Sequence, residues 1–282
     1  MKNLVVIYHA NCPDGFGGAW VAWKKFGDQA EYIKAHHSDS PPADLKNKEI
    51  YFIDFVYSLE ITNKILRKNN KVVIIDHHIS AENIVKLASD YSFDINHSGS
   101  ILAWKYFFPK KNTPRLLQHI EDIDIWKFAM PFTKEISLVI GLYDFDFKTW
   151  DKLAEEIEDE QTRNRLIDAG KIILRNDQKI VERLLEGSTD LVKFEGYQTL
   201  IMNFPNEHYL HSVIGNALCF KKPPIGVVWS EFRGRKYFSL RSDGTVDVSK
   251  IAQKYSGGGH KAAAGFSIPA DQPLPWKVIQ KP

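Results

Sequence analysis

Apolar and polar positions along the first half of the chain predict strands and helices in turn. Three short apolar runs, each typical of a strand buried on both faces, occupy residues 4–8, 50–53 and 72–75. Between these runs, residues 16–26 and 58–69 carry apolar side chains at roughly helical spacing. Strands that alternate with helices predict a parallel sheet with helical crossover connections.

The pattern changes in the second half of the chain. Residues 148–185 are rich in charged and long-chain apolar side chains, which predicts one or two exposed helices that connect domains. Short alternating runs at 197–203, 225–230 and 236–241 then predict the strands of a smaller α/β or α+β domain. We therefore expect an α/β protein with its active site in the cleft between two domains. Its predicted parts are an N-terminal parallel-sheet domain (1–145), a helical connector (146–190) and a smaller C-terminal α/β domain (191–282).

Composition narrows the classes of partner. The 282 residues are 44% hydrophobic and 26% charged, as in ordinary globular proteins, and the net charge is only +2. So small a charge favours short nucleic acids over long ones. Cys12 and Cys219 provide no disulfide framework, which favours the cytoplasm. We expect no signal peptide, because residues 1–3 lead directly into a predicted strand, and no run is long enough to span a membrane.

Each of the three predicted strands ends on side chains that can bind metal. His9 follows the first strand, Asp54 the second and Asp76-His77-His78 the third, and Asp14 lies five residues after His9. Because the carboxyl ends of parallel strands lie along one edge of a sheet, we expect these groups to converge. A single Asp or His at such a position is more often a cap or a solvated residue. Agreement among three strand ends favours a site for a divalent ion such as Mn²⁺ or Mg²⁺.

A second motif, Gly257-Gly258-Gly259-His260, is typical of phosphate binding. Consecutive glycines let backbone N–H groups approach an anion, and the alanine-rich stretch 262–264 predicts a helix whose N-terminus faces it. Arg241, at the end of a predicted strand, is a candidate for a bidentate phosphate contact. Taken without its surroundings, the glycine run would be interpreted as a flexible loop.

Together, Asp76-His77-His78 and Gly257-Gly258-Gly259-His260 resemble the DHH phosphoesterase superfamily with its DHH-associated C-terminal domain, over nearly the whole chain. That superfamily includes RecJ-type exonucleases, nanoRNases and cyclic-dinucleotide phosphodiesterases. The resemblance implies one or two Mn²⁺ or Mg²⁺ ions, bridged by Asp54, with His78 on the scissile phosphate. It implies the metal ligands His9, Asp14, Asp54, His77 and Asp122, the catalytic residues Asp54, His77 and His78, and the substrate-binding residues His78, Arg241, Gly257, Gly258, Gly259 and His260. Asp124 is the alternative to Asp122.

The first motif departs from the family's HxxxDxD-like pattern by one carboxylate. One alignment puts Phe16 in the place of the second Asp, and the other puts Cys12 in the place of the first. The departure leaves open a single tightly bound ion with a second that arrives with substrate. Because a thiolate suits a thiophilic metal better than Mn²⁺, we do not expect Cys12 to be a ligand.

The expected function is hydrolysis of phosphodiester bonds in short oligonucleotides or small nucleotides by water that the ions activate. The alternatives are an exopolyphosphatase and a nucleotide-binding regulatory protein with weakened catalysis. The expected partner is a short single-stranded oligonucleotide or a small phosphorylated nucleotide, on whose bases Trp126 or Tyr255 would stack. A homodimer is also compatible with the sequence.

Overall fold

A computed structural model describes residues 2–36, 39–205 and 210–280. The described residues form two compact units, which divide between Leu174 and Arg175. This division falls inside one long helix, Glu160–Gly187.

The first unit is built on a parallel sheet. Within the described ranges it has five strands in the order β2-β1-β3-β4-β5. Side chains of β4 alternate between two apolar clusters, with Val73 and Ile75 in one and Val72 and Ile74 in the other, so this central strand is buried on both faces. The strands are β1 (Leu4–His9), β2 (Ala30–Ala35), β3 (Glu49–Ile53), β4 (Lys71–Asp76) and β5 (Asp90–Phe93).

Helices cover both faces of this sheet. The α-helices described before β6 are α1 (Pro13–Phe26), α2 (Leu59–Lys68), α3 (Glu82–Val85), α4 (Gly99–Phe107), α5 (Arg115–Asp124), α6 (Thr133–Ile140), α7 (Phe147–Glu158) and α8 (Glu160–Gly187). Apolar side chains of α1, α4, α5, α6 and α7 share one cluster with the sheet, and those of α2 and α3 share the other. Two single-turn segments, Gly27–Gln29 and Ile79–Ala81, complete the helical part.

The second unit contains a mixed sheet. Among the described residues it has seven strands in the order β10-β11-β9-β8-β7-β6-β12, antiparallel except for the β7–β8 pair. Helix α9 packs on β8 and α10 packs against β11. The elements are β6 (Asp190–Phe194), β7 (Tyr197–Asn203), α9 (His211–Lys221), β8 (Ile225–Phe232), β9 (Arg235–Ser242), α10 (Val248–Gln253), β10 (Gly258–Gly259), β11 (Ala263–Pro269) and β12 (Lys277–Gln280).

The predicted fold class, a parallel-sheet domain followed by a smaller α/β domain, is confirmed. The helix predicted over 262–264 is wrong, because Ala263 and Ala264 pair with β9 as part of β11. Sheet pairing overrides the helix propensity of alanine here. In the parts of the chain that the structure describes, no helix is both long and apolar enough to cross a bilayer.

Candidate active site

The metal-binding candidates lie at the carboxyl ends of three neighbouring strands. His9 ends β1, Asp76 ends β4, and Asp54 directly follows β3, which lies between them. The backbone of Asp54 has a φ of 55° and its N–H donates to the carbonyl of Ile75 at 2.9 Å. Aspartate tolerates this left-handed conformation better than most residues, and such backbone geometry is concentrated at functional sites.

Asp54 is the centre of the cluster. Its side chain is 2% exposed. Oδ2 lies 3.4 Å from Nδ1 of His9, and Oδ1 lies 3.2 Å from Nε2 of His77. Oδ1 is buried and accepts no aligned hydrogen bond from any described residue. Because its two oxygens face two different imidazoles, this carboxylate is oriented to be shared by two cations.

His77 faces two further carboxylates. Its Nε2 lies 3.6 Å from Oδ2 of Asp124 and 3.9 Å from Oδ2 of Asp14. One ligand atom from each of these three residues lies within 4.8 Å of the others. An imidazole and two carboxylates around a common point are a donor set that fits a divalent ion such as Mn²⁺.

The N-terminus of α4 orients Asp14. The backbone N–H groups of Gly99 and Ser100 donate to its two carboxylate oxygens at 2.6 and 3.0 Å, and Ser98 caps the helix. A Cβ on Gly99 would lie 2.7 Å from Cβ of Asp54, so only glycine permits this approach. The sequence Ser98-Gly99-Ser100 before an apolar stretch predicts the start of a helix, but it does not predict that the helix binds the carboxylate of Asp14.

Asp76 orients the two histidines that follow it. Its Oδ1 accepts the backbone N–H groups of His77 and His78 at 2.7 and 2.8 Å and lies 2.8 Å from Nδ1 of His78. A carboxylate at this nitrogen fixes the ring orientation and keeps a proton on Nδ1. Asp76 is therefore a positioning residue for the motif.

The geometry favours Asp124 over Asp122 as the acidic residue from α5. The carboxylate of Asp122 accepts hydrogen bonds from the N–H groups of Ala129 and Met130 and from the hydroxyl of Thr133, at 2.7, 3.0 and 2.6 Å. Burial raises its pKa, but these three donors lower it below the usual value. Two steps along a helix rotate a side chain by about 200°, so Asp122 faces the following loop while Asp124 faces the cluster. No ligand group found among the described residues includes Asp122.

Crowded carboxylates give this cluster a negative potential. Burial lowers the pKa of His77, but the carboxylate of Asp54, 3.2 Å from its Nε2, raises it to about 9. Burial also lowers the pKa of His78, but Asp76 and Asp54 raise it to about 10. Burial and the charges of Asp14 and Asp54 raise the pKa of Asp124 well above its usual value. Sites with such shifts attract positive charge, whether protons or metal ions.

The place of the missing carboxylate is occupied by a thiol. Cys12 precedes α1, and its Sγ lies within 4.8 Å of ligand atoms of both His9 and Asp54. Phe16, the other candidate for that place, is 2% exposed and stacks on Phe145 with ring centroids 5.0 Å apart, as part of the apolar core. The alignment that puts Cys12 in the ligand position therefore agrees with the geometry.

In the second unit, the glycine run forms one strand of a hairpin. Gly258 pairs with Gly265, and Gly259, at a φ of 138°, pairs with Ala264. A Cβ on Gly257 would lie 2.2 Å from the carbonyl oxygen of Gly265, so close packing requires this glycine. A Cβ on Gly258 would meet no atom within 4 Å. Gly258 thus leaves exposed backbone that a ligand can approach.

Arg241 lies at the same end of this sheet. It pairs with Ala263, whose carbonyl accepts the N–H of His260 at 2.7 Å. The guanidinium donates to the hydroxyl of Ser212 at 2.8 Å, and burial lowers its pKa. The register therefore brings Arg241, His260 and the glycine run to one corner of the second unit.

Comparisons with known proteins agree with this architecture. The DHHA1 domain model matches residues 210–275. An uncharacterised protein of Acanthamoeba polyphaga mimivirus is 30% identical over 286 residues, covering 94% of this chain and 67% of that protein. Oligoribonuclease NrnB of Bacillus subtilis is 23% identical over 93% of this chain and 72% of its own length. The structure of RecJ in complex with Mn²⁺ from Thermus thermophilus aligns with 95% of this chain and 49% of that chain, at 13% identity and a TM-score of 0.52.

The DHHA1 match and the similarity to oligoribonuclease NrnB support an enzyme of the phosphodiesterase or phosphohydrolase class, and the histidines and carboxylates at the strand ends are compatible with that class. The chain belongs to the DHH phosphoesterase superfamily with a DHHA1 domain, as the sequence resemblance implied.

Proposed function

We propose that this enzyme hydrolyses phosphodiester bonds in short oligonucleotides or small phosphorylated nucleotides and uses one or two Mn²⁺ or Mg²⁺ ions. The observation that carries the proposal is Asp54, whose two oxygens face His9 and His77 in a buried acidic cluster. The relative from Bacillus subtilis is named an oligoribonuclease, and the Thermus RecJ structure was solved with Mn²⁺, which supports both parts.

The proposed metal ligands are His9, Asp14, Asp54, His77 and Asp124, with Asp124 in place of Asp122. Bound divalent ions would lower the pKa of water and neutralise phosphate oxygens. His78 would contact the scissile phosphate, because Asp76 holds its ring in one orientation through Nδ1. Trp126, which is 50% exposed and lies two residues after Asp124, is the better candidate for stacking on a base. Tyr255 instead stacks on Phe266 and donates its hydroxyl to Glu195.

We propose a matching division of labour along the chain. Residues 1–145 would catalyse, residues 146–190 would connect, and residues 191–282 would hold the substrate through Arg241 and the stretch from Gly257 to His260. The small net charge and short glycine hairpin support short substrates, since a long track of phosphates would need many more cations. Two free cysteines support a reducing, cytoplasmic compartment.

A substrate panel with Mn²⁺ tests the proposal. The panel contains RNA of two to seven nucleotides, a 3′,5′-bisphosphorylated nucleoside, a cyclic dinucleotide and polyphosphate. We expect mononucleotide release from the short RNAs, and a loss of at least about 100-fold in His77→Ala. His97→Ala, which removes a histidine paired with Glu121 and Lys105, is the matched control and should retain activity.

Two outcomes would overturn the proposal. Hydrolysis of polyphosphate without hydrolysis of RNA would identify an exopolyphosphatase. Silence across the panel, with nucleotide affinity retained in both the parent and Asp54→Asn, would identify a binding protein.

A further inference from the structure

Cys12 occupies a position that the proposed function leaves unassigned. It lies between the end of β1 and the start of α1, in a loop that Asn11 turns with a φ of 55° and that Pro13 ends as the first helical residue. This short loop brings the thiol back toward His9, three residues earlier. Sγ of Cys12, a nitrogen of His9 and an oxygen of Asp54 all lie within 4.8 Å of one another.

These three donors suit one ion. Zinc binds sulfur at about 2.3 Å and imidazole nitrogen at about 2.0 Å, so donors that share an ion lie roughly 3–4 Å apart. His9 Nδ1 and Asp54 Oδ2 are 3.4 Å apart. The other oxygen of Asp54, Oδ1, faces His77 at 3.2 Å, so Oδ2 is the oxygen directed toward His9.

We propose that Cys12 is a metal ligand, and that the ion position formed by His9, Cys12 and Asp54 prefers a borderline ion such as Zn²⁺ or Co²⁺ to Mn²⁺. The inference rests on the proposed function for the presence of metal, but it assigns a different chemistry to one of the two positions. Soft thiolate ligands favour zinc and cobalt, whereas the all-oxygen-and-imidazole set of Asp14, His77 and Asp124 suits Mn²⁺ or Mg²⁺. The two positions would therefore differ in the ions they hold.

Cobalt absorbance tests this assignment without an activity assay. A thiolate bound to Co²⁺ gives a near-ultraviolet sulfur-to-cobalt charge-transfer band, which carboxylate and imidazole ligands do not give. We expect the band when Co²⁺ is added to the parent protein and to Cys219→Ser, which removes the other, buried cysteine. We expect its loss in Cys12→Ser, with Co²⁺ binding at least ~10-fold weaker, the lower end of what removing even an outer ligand partner costs.

A second substitution, Cys12→Asp, separates the loss of a sulfur ligand from misfolding of the variant. Cys12→Asp should lack the band but still bind metal, with its preference shifted from Co²⁺ toward Mn²⁺. In the parent protein, Co²⁺ should also protect Cys12 from iodoacetamide, as measured by mass spectrometry of the Cys12 peptide. A parent protein without the band, or a band that persists in Cys12→Ser, would overturn the inference. Such a result would not contradict the proposed function, which is tested separately by hydrolysis of the substrate panel.

Discussion

Asp122 and Asp124 are a matched pair for separating a structural carboxylate from a ligand. They lie two residues apart near the end of α5, yet the first accepts hydrogen bonds from two N–H groups of the following loop and from Thr133 at the start of α6, and the second faces His77. Asparagine has almost the same shape as aspartate, so Asp122→Asn and Asp124→Asn change charge and hydrogen bonding with little change in packing.

The expected loss in Asp122→Asn follows from its three hydrogen bonds, which measure 2.6–3.0 Å. The asparagine side chain keeps one acceptor oxygen and turns an NH₂ group toward a donor, so one or two charge-assisted bonds are lost. At about 1.5–3 kcal/mol for each bond, the free energy of unfolding should fall by roughly 1.5–6 kcal/mol. For a unit of this size, at about 2–4 °C for each kcal/mol, that loss lowers Tm by roughly 3–24 °C.

Asp124→Asn should behave in the opposite way. The pKa of Asp124 is raised in the folded protein, so the ionised carboxylate destabilises the fold at neutral pH. Removing this charge should raise the Tm of the metal-free protein and weaken Mn²⁺ binding at least ~10-fold. Thermal melts of metal-free protein and calorimetric Mn²⁺ titrations measure both quantities. Loss of Mn²⁺ affinity in Asp122→Asn at an unchanged Tm would refute the structural role of Asp122 and the assignment of Asp124 to the metal site.

Three further predictions concern stability, substrate binding and catalysis. Burial lowers the pKa of His119 to about 4. As the pH falls, the unfolded chain therefore takes up a proton at this residue before the folded chain does, and the free energy of unfolding should fall by up to about 3 kcal/mol between pH 6.5 and 4. The urea midpoints measured at pH 7 and pH 5 should differ less in His119→Gln than in the parent protein. Gly257→Ala should lower Tm, whereas Gly258→Ala should melt normally but bind substrate more weakly; Gly187→Ala, in equally open space, is the control, and normal substrate affinity in Gly258→Ala would exclude a backbone contact there. Asp76→Asn should reduce kcat more than it raises KM, because it releases the ring of His78; an unchanged kcat would contradict the positioning role.

The central strands of the first sheet can be predicted from the sequence because each is a continuous apolar run. The apolar runs that become β1, β3 and β4 are buried on both faces, so every residue in them carries the signal. The edge strands β2 and β5 are partly exposed, and their mixed sequences give no such run. The residues that follow β1, β3 and β4 converge because parallel neighbours end at one edge, which strand prediction alone is enough to anticipate.

Other features depend on distances that no local pattern encodes. The choice between Asp122 and Asp124 depends on the rotation of α5 about its axis, and both residues fit the sequence motif equally well. The role of Cys12 depends on a loop that returns it to His9, although its side-chain chemistry argued against a ligand. The glycine hairpin depends on pairing with β11, where tertiary contacts override the propensity of Ala263 and Ala264.

The two-sided contacts of Asp54 have a consequence for metal titrations. A single carboxylate that serves both ion positions couples them thermodynamically, since the first ion fixes the rotation of the group that the second must use. We therefore expect binding isotherms that show cooperativity and do not fit two independent sites. Substituting Asp54 would abolish both equilibria together, so ions are best counted with variants of Cys12 or Asp124, each of which we propose as a ligand at one position only.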